Sequence, residues 1–242
     1  MPPAAAVVVP VAGGQLPLTV VQPAGAVRTA VVVIQEAFGV TGHIVEVAER
    51  LAAAGHLAVV PHLFHRTGDP VLPYDDFSTV MPHLQELDAA GLAADLDATL
   101  AYLVAAEVEP SGTAVIGFCM GGTVALWTGV RRPLGLAVSF YGGGVTTGRF
   151  GLPPLVELAP SLQTPWLGLY GDLDQGIPIA DVEELRTAAR RAPVPVELVR
   201  YAEAGHGFHC DARPGSFNAD AAADAWRRTL VALDTHVGPS AG

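Results

Sequence analysis

The chain has 242 residues, 50% of them hydrophobic and only 15% charged, so a large core is available and intrinsic disorder is excluded. A formal net charge of −11 speaks against nucleic acid and anionic membrane surfaces, because both demand a basic footprint. All 13 basic residues are Arg, and the absence of Lys rules out Schiff-base chemistry and lysine-dependent phosphate loops.

The N-terminal stretch MPPAAAVVVPVAGG lacks a positive region, and its apolar run is short and broken by Pro10. It therefore reads as neither a signal peptide nor a membrane span, and the expected location is cytoplasmic. Residues 5–22 read as a hairpin with Gly13-Gly14 at the turn. The β-branched run 29–34 has the character of a strand buried on both faces, and it ends in Gln35-Glu36-Ala37-Phe38-Gly39. A helix follows over 43–54, spaced by Ile44, Val47, Ala48 and Leu51, and then a strand over 57–60. Residues 62–85 show no period, whereas 86–106 read as a helix interrupted at Gly91. Strands over 114–116, 136–141, 166–170 and 196–201 then alternate with helices over 120–130, 179–191 and 219–236, and the last residues, 238–242, read as a frayed tail. This alternation predicts a mainly parallel sheet flanked by helices on both faces, built as one domain over 1–242.

Between the strand at 114–116 and the next helix lies Gly117-Phe118-Cys119-Met120-Gly121, a G-x-C-x-G pattern. It has the spacing of a nucleophile elbow with sulfur in place of the serine oxygen. The glycines let strand and helix approach closely, and the helix N-terminus favours a thiolate and offers N–H groups to an oxyanion. A buried structural cysteine between packing glycines is the alternative. Three further points fall at strand ends, where ligands gather in such sheets: Glu36, the run Gly171–Pro178 containing Asp172 and Asp174, and Gly205-His206-Gly207-Phe208. The order nucleophile, acid, histidine is that of an α/β-hydrolase triad.

These segments, together with Pro61-His62-Leu63-Phe64, resemble the dienelactone hydrolase (carboxymethylenebutenolidase) family over roughly residues 16–236. The resemblance implies an α/β-hydrolase fold that needs no cofactor or metal. It implies a small ester, lactone or thioester as substrate, with Cys119 as nucleophile and His206 as its base. Asp174 matches the family acid, lying four residues before Pro178, with Asp172 as the rival. It further implies an oxyanion hole from the N–H groups of Met120 and Ala37, and Glu36 as hydrogen-bond partner of the resting thiol. The family clamps its substrate carboxylate with two arginines, yet residues 75–88 contain no Arg and the later matching position is Cys210. A neutral ester is therefore expected to be preferred, in a pocket formed by Phe38, Phe77, Met81, Phe208 and Cys210; Phe77, Met81 and Leu84 of residues 75–88 suggest its apolar character, the alternative being that these three are the core face of a helix. Arg66, Arg149 and Arg213 lie in loops on the same side and are the candidates to replace the clamp, Arg213 above all.

Two rival readings stand beside this one. His62-x-x-His65 and His206-x-x-His209-Cys210 carry ligand types that suit zinc, although no metal is expected. Cys119 and Cys210 could form an oxidisable thiol pair, making the chain a redox switch, and a ligand-binding module on the same fold is a further option.

Overall fold

The computed structural model describes residues 4–12, 14–27 and 29–238. The chain forms one eight-stranded sheet from β1 (Ala5–Val11), β2 (Gly14–Val21), β3 (Ala30–Ile34), β4 (Leu57–Pro61), β5 (Thr113–Phe118), β6 (Leu136–Phe140), β7 (Trp166–Gly171) and β8 (Val196–Tyr201). Its order is β1-β2-β4-β3-β5-β6-β7-β8. The hairpin β1–β2 joins antiparallel to β4, and every other pairing is parallel. The expected Gly13 turn lies outside the described residues, as do 239–242 of the expected tail.

All residues of β3, β4, β5, β6 and β7 are buried, which is why these segments read as continuous apolar runs: both sheet faces are covered. The helices fall into two neighbouring groups. On one side α1 (Gly42–Ala53) meets α7 (Ala219–His236), with the Arg50 guanidinium stacked on Trp226 at 3.9 Å. In the other group, α3 (Ala89–Ala105) and α4 (Met120–Arg131) are joined by Arg131 and Arg132 on Asp97. Beyond them α5 (Leu155–Leu158) packs on α4 and on α6 (Ile179–Ala189).

The chain visits β3 and then β4 on one side, and returns to place β5 on the other. The sheet thus reverses its winding between β3 and β5. A crevice opens at their C-terminal ends, where α/β sheets bind ligands. Glu36 and Cys119 both lie at that point.

Two expectations need correction. The helix expected over 86–106 starts only after Asp88, whose carboxylate caps the Gly91 N–H at 2.6 Å, so Gly91 belongs to the first turn and does not interrupt the helix. The aperiodic stretch 62–85 holds short 3₁₀ turns at His65–Thr67 and Phe77–Thr79 and a five-residue helix, α2 (Met81–Gln85). No element there is long enough to display a period.

Candidate active site

The G-x-C-x-G segment forms a sharp turn. Cys119 has φ 55° and ψ −116°, a conformation rare for a side chain other than glycine and costing on the order of 1–3 kcal/mol. The turn is fixed on both sides: Cys119 N–H donates to Phe140 O, and Gly122 N–H donates to Cys119 O, both at 3.0 Å. A Cβ at Gly117 would run into the Gly121 carbonyl, and one at Gly121 would lie 2.5 Å from Ile34 O. The glycines are needed because β5, β3 and α4 converge at this corner.

Cys119 Sγ lies 3.1 Å from His206 Nε2, and His206 Nδ1 lies 2.7 Å from Asp174 Oδ2. Asp174 is buried, and its other oxygen accepts the Gly176 N–H at 2.8 Å, which fixes the carboxylate plane. Leu173 N–H donates to Ala204 O at 2.9 Å and so ties the aspartate loop to the histidine loop. Asp172 points elsewhere: both its oxygens are held by Arg200 at 2.7 Å. Burial opposes a charge on His206, but the Cys119 thiolate and Asp174 outweigh it and hold the imidazolium up to about 10.

Met120 is the first residue of α4, so its N–H has no acceptor within the helix. The Ala37 N–H donates to no other backbone oxygen among the described residues. Both can serve an oxyanion. Glu36 is fully buried, but among the described residues it makes no hydrogen bond with Cys119. Its Oε1 accepts a long 3.5 Å bond from the Tyr141 hydroxyl, and its Oε2 has no partner. Burial raises its pKa, opposed by the charges of His43, Arg213 and His206.

A cavity of about 620 Å³ opens onto Cys119 and His206, and Phe38, Phe77, Arg149 and Arg213 line it. The other pocket candidates sit elsewhere. Met81 is exposed on α2, Phe208 is wholly buried, and the buried Cys210 thiol donates to the Tyr74 hydroxyl at 3.6 Å. Of the loop arginines, Arg66 is committed to Asp95 by bonds of 2.7 and 2.8 Å, whereas Arg149 and Arg213 have no acidic partner among the described residues. The Arg213 guanidinium rests on the rings of Phe38 and Tyr74, at 5.3 and 5.6 Å. The thiols of Cys119 and Cys210 are both free, and each has a partner other than its fellow cysteine. His62 bonds Thr19 and Asp69, His65 bonds Asp95, and His206 bonds Asp174 and Cys119, and among the described residues no three such side chains come together to hold a metal ion. Tyr141 and His43, both buried beside this site, carry no sequence motif. A polar residue at a strand end or in a helix's first turn was the one signal available for each.

Residues 16–237 match the sequence profile of the dienelactone hydrolase family. The chain belongs to that family. It is 35% identical over 174 residues to a Methylorubrum extorquens protein named "Putative carboxymethylenebutenolidase", covering 71% of this chain and 60% of that one. It is 30% identical over 183 residues to the "Carboxymethylenebutenolidase" of Rhodococcus opacus, covering 74% of this chain and 70% of the relative. The matched stretch thus spans less than two thirds of the Methylorubrum protein. A crystal structure titled as a dienelactone hydrolase from Klebsiella pneumoniae, itself marked "Putative", superposes with a TM-score of 0.86 at 35% identity. It covers 96% of this chain and 98% of its own. The dienelactone hydrolase family is one of hydrolases with the α/β-hydrolase fold, and the mostly parallel eight-stranded sheet agrees with it. No described helix is long and apolar enough to cross a membrane.

Proposed function

We propose that this chain, as a single α/β-hydrolase domain, hydrolyses a small ester or lactone through a Cys119-His206-Asp174 triad. The observation that carries the reading is the His206 ring, bonded to Asp174 at one nitrogen and to the Cys119 sulfur at the other, on the wall of the cavity. The Cys119 thiolate attacks the carbonyl carbon, and the oxyanion takes hydrogen bonds from the Met120 and Ala37 N–H groups. His206 then gives its proton to the departing alkoxide, leaving a thioester on Cys119. Acylation removes the thiolate that helped hold the imidazolium charged, while the burial that disfavours the charge remains. His206 is therefore left neutral and able to take a proton from the water that cleaves the thioester. Asp174 fixes the tautomer throughout.

The cavity wall also changes the expected substrate. Arg149 and Arg213 face it without acidic partners among the described residues, in a chain of net charge −11. An acyl group carrying a carboxylate fits this wall better than the neutral ester expected from the missing family arginines. The apolar faces of Phe38 and Phe77 suit the carbon skeleton. The test is trapping: His206→Asn incubated with an activated ester should accumulate, by mass spectrometry, an acyl adduct on the Cys119 peptide. No turnover by the wild type and no adduct on any variant would overturn the reading.

A further inference from the structure

Of the nine large apolar side chains that stand exposed among the described residues, Phe77, Leu173 and Phe217 all line the cavity that opens onto Cys119. None of the three joins the packed core. Apolar side chains exposed singly need no explanation, but three around one cavity mark a surface for an apolar ligand. They fall on two sides of the nucleophile. Phe77 lies with Phe38, ring centroids 6.2 Å apart, beyond the end of β3. Leu173 follows β7, and Phe217 stands at the entry to α7, where Asn218 donates to the Glu203 carbonyl just after β8 at 2.8 Å. Cys119 follows β5, which lies between β3 and the pair β7–β8 in the sheet.

Leu173 and Phe217 flank the histidine of the triad. A Cβ on Gly205 would come within 3.8 Å of Leu173 O, and one on Gly207 within 3.8 Å of Ser216 Cβ, the residue before Phe217. Neither side chain is free to retreat. Leu173 N–H donates to Ala204 O at 2.9 Å, and its neighbours Asp172 and Asp174 are held by Arg200 and His206. Phe217 N–H donates to Arg213 O, also at 2.9 Å. The Arg213 guanidinium reaches the other way, to the rings of Phe38 and Tyr74. Glu203 lines the cavity beside Asn218 and has no basic partner among the described residues, so this end repels an anion.

We infer that Leu173 and Phe217 form the subsite of the departing alcohol, so that the substrate is an open-chain ester joining a carboxylate-bearing acyl group to a bulky apolar alcohol. The inference rests on the triad reading above and adds the alcohol half to it. On acylation a bond forms between the Cys119 sulfur and the carbonyl carbon, and the ester C–O bond breaks. The oxygen that leaves takes the proton of His206, so the alcohol must depart on the histidine's side, where the two apolar side chains stand. It departs as a neutral molecule, which the Glu203 carboxylate does not oppose. A lactone cannot use the subsite in this way, because its alkoxide stays tethered to the acyl chain. The cavity, at about 620 Å³, has room for both halves of such an ester.

The experiment compares the cyclohexylmethyl and ethyl monoesters of succinic acid, which share one acyl half and whose alcohols have comparable acidity. Wild type should show a kcat/KM for the first at least about tenfold above the second, since a single methylene in an apolar pocket already shifts selectivity by roughly that factor. The ratio should fall toward one in Leu173→Ser and in Phe217→Ser, which alter exposed side chains and leave the core intact. Free cyclohexylmethanol, added to wild type without an ester, should shift the NMR resonances of the Leu173 methyl groups and the Phe217 ring. Equal kcat/KM for the two esters, or a preference undiminished in either variant, would overturn the inference. If neither ester is turned over, the free alcohol decides. Resonances that stay put overturn the subsite, whereas resonances that move keep it and place the fault in the hydrolase reading.

Discussion

Arg200 grips both oxygens of Asp172 at 2.7 Å each, reaching from β8 to the end of the neighbouring β7. Its remaining nitrogen holds Glu183 at 2.6 Å. Asp172 is thereby spent on a structural ion network, and Asp174, two residues on, is the carboxylate free to meet His206.

Asp174→Asn should therefore lower kcat/KM on an aryl ester by roughly 100-fold or more, since an amide cannot stabilise the imidazolium that forms. Asp172→Asn should keep most of the activity and lose about 1 kcal/mol of stability in urea unfolding, because the pair it breaks lies near the surface. The reverse ranking of activities would assign the acid to Asp172.

How far the sequence could be read follows from the range of each signal. The strands and α7 were legible because burial on both sheet faces, or a period sustained over 18 residues, writes itself locally. The elbow was legible because three backbone segments converge on it and only glycine fits. The acid, Asp174, was named only from the spacing that the family resemblance supplies, because the physical reason that Asp172 is occupied, Arg200, lies 28 positions away on another strand. The cavity wall was not legible: Phe77 and Met81 are equally apolar in the chain, yet only Phe77 faces the cavity. The short helix α2 shows no period from which its orientation could be read. The missing clamp at residues 75–88 and at Cys210 suggested a neutral pocket, while Arg149 and Arg213 reach the cavity from loops that no period announces.

The 3.1 Å contact between Cys119 and His206 makes a prediction about charge. Burial alone would lower the His206 pKa, and the thiolate is the first of the causes that raise it to about 10. Cys119→Ala removes that cause, so the His206 ring should lose its proton at a lower pH than in wild type, as followed by the ring-proton shifts in NMR. The sign is that of a base whose folded value lies above its unfolded one. Its stabilising contribution is present below the unfolded value of 6.5 and lost as pH rises toward 10. An unchanged titration in Cys119→Ala would mean that Asp174 alone supports the imidazolium.

His209 makes the opposite case. It is buried among Phe118, Phe140 and Trp226, with ring centroids at 5.2, 5.0 and 5.8 Å. Burial, with the charges of His43 and Arg50, pushes its pKa down from 6.5 to about 3. The unfolded chain binds this proton more readily, so stability is lost as pH falls from 6.5 toward 3, by roughly 3 kcal/mol at pH 4. His209→Phe keeps the ring packing and removes the titration. Its acid-unfolding midpoint should move to lower pH, and a midpoint that stays put would remove His209 from the causes of acid lability.

Arg149 and Arg213 set the last expectation, which concerns what the cavity accepts. Each guanidinium faces the cavity without an acidic partner among the described residues, and Arg213 is steadied by the faces of Phe38 and Tyr74. A charge-assisted contact between such a group and a carboxylate contributes about 1.5–3 kcal/mol, or roughly 10- to 100-fold in affinity. A lactone bearing a free carboxylate should therefore show a kcat/KM at least about tenfold above that of its methyl ester. The advantage should shrink in Arg213→Gln and in Arg149→Gln, and should weaken with added salt, while a neutral aryl ester is turned over much as before. Equal turnover of acid and methyl ester by the wild type would mean that the arginines serve the fold and that the neutral preference suggested by residues 75–88 and Cys210 holds.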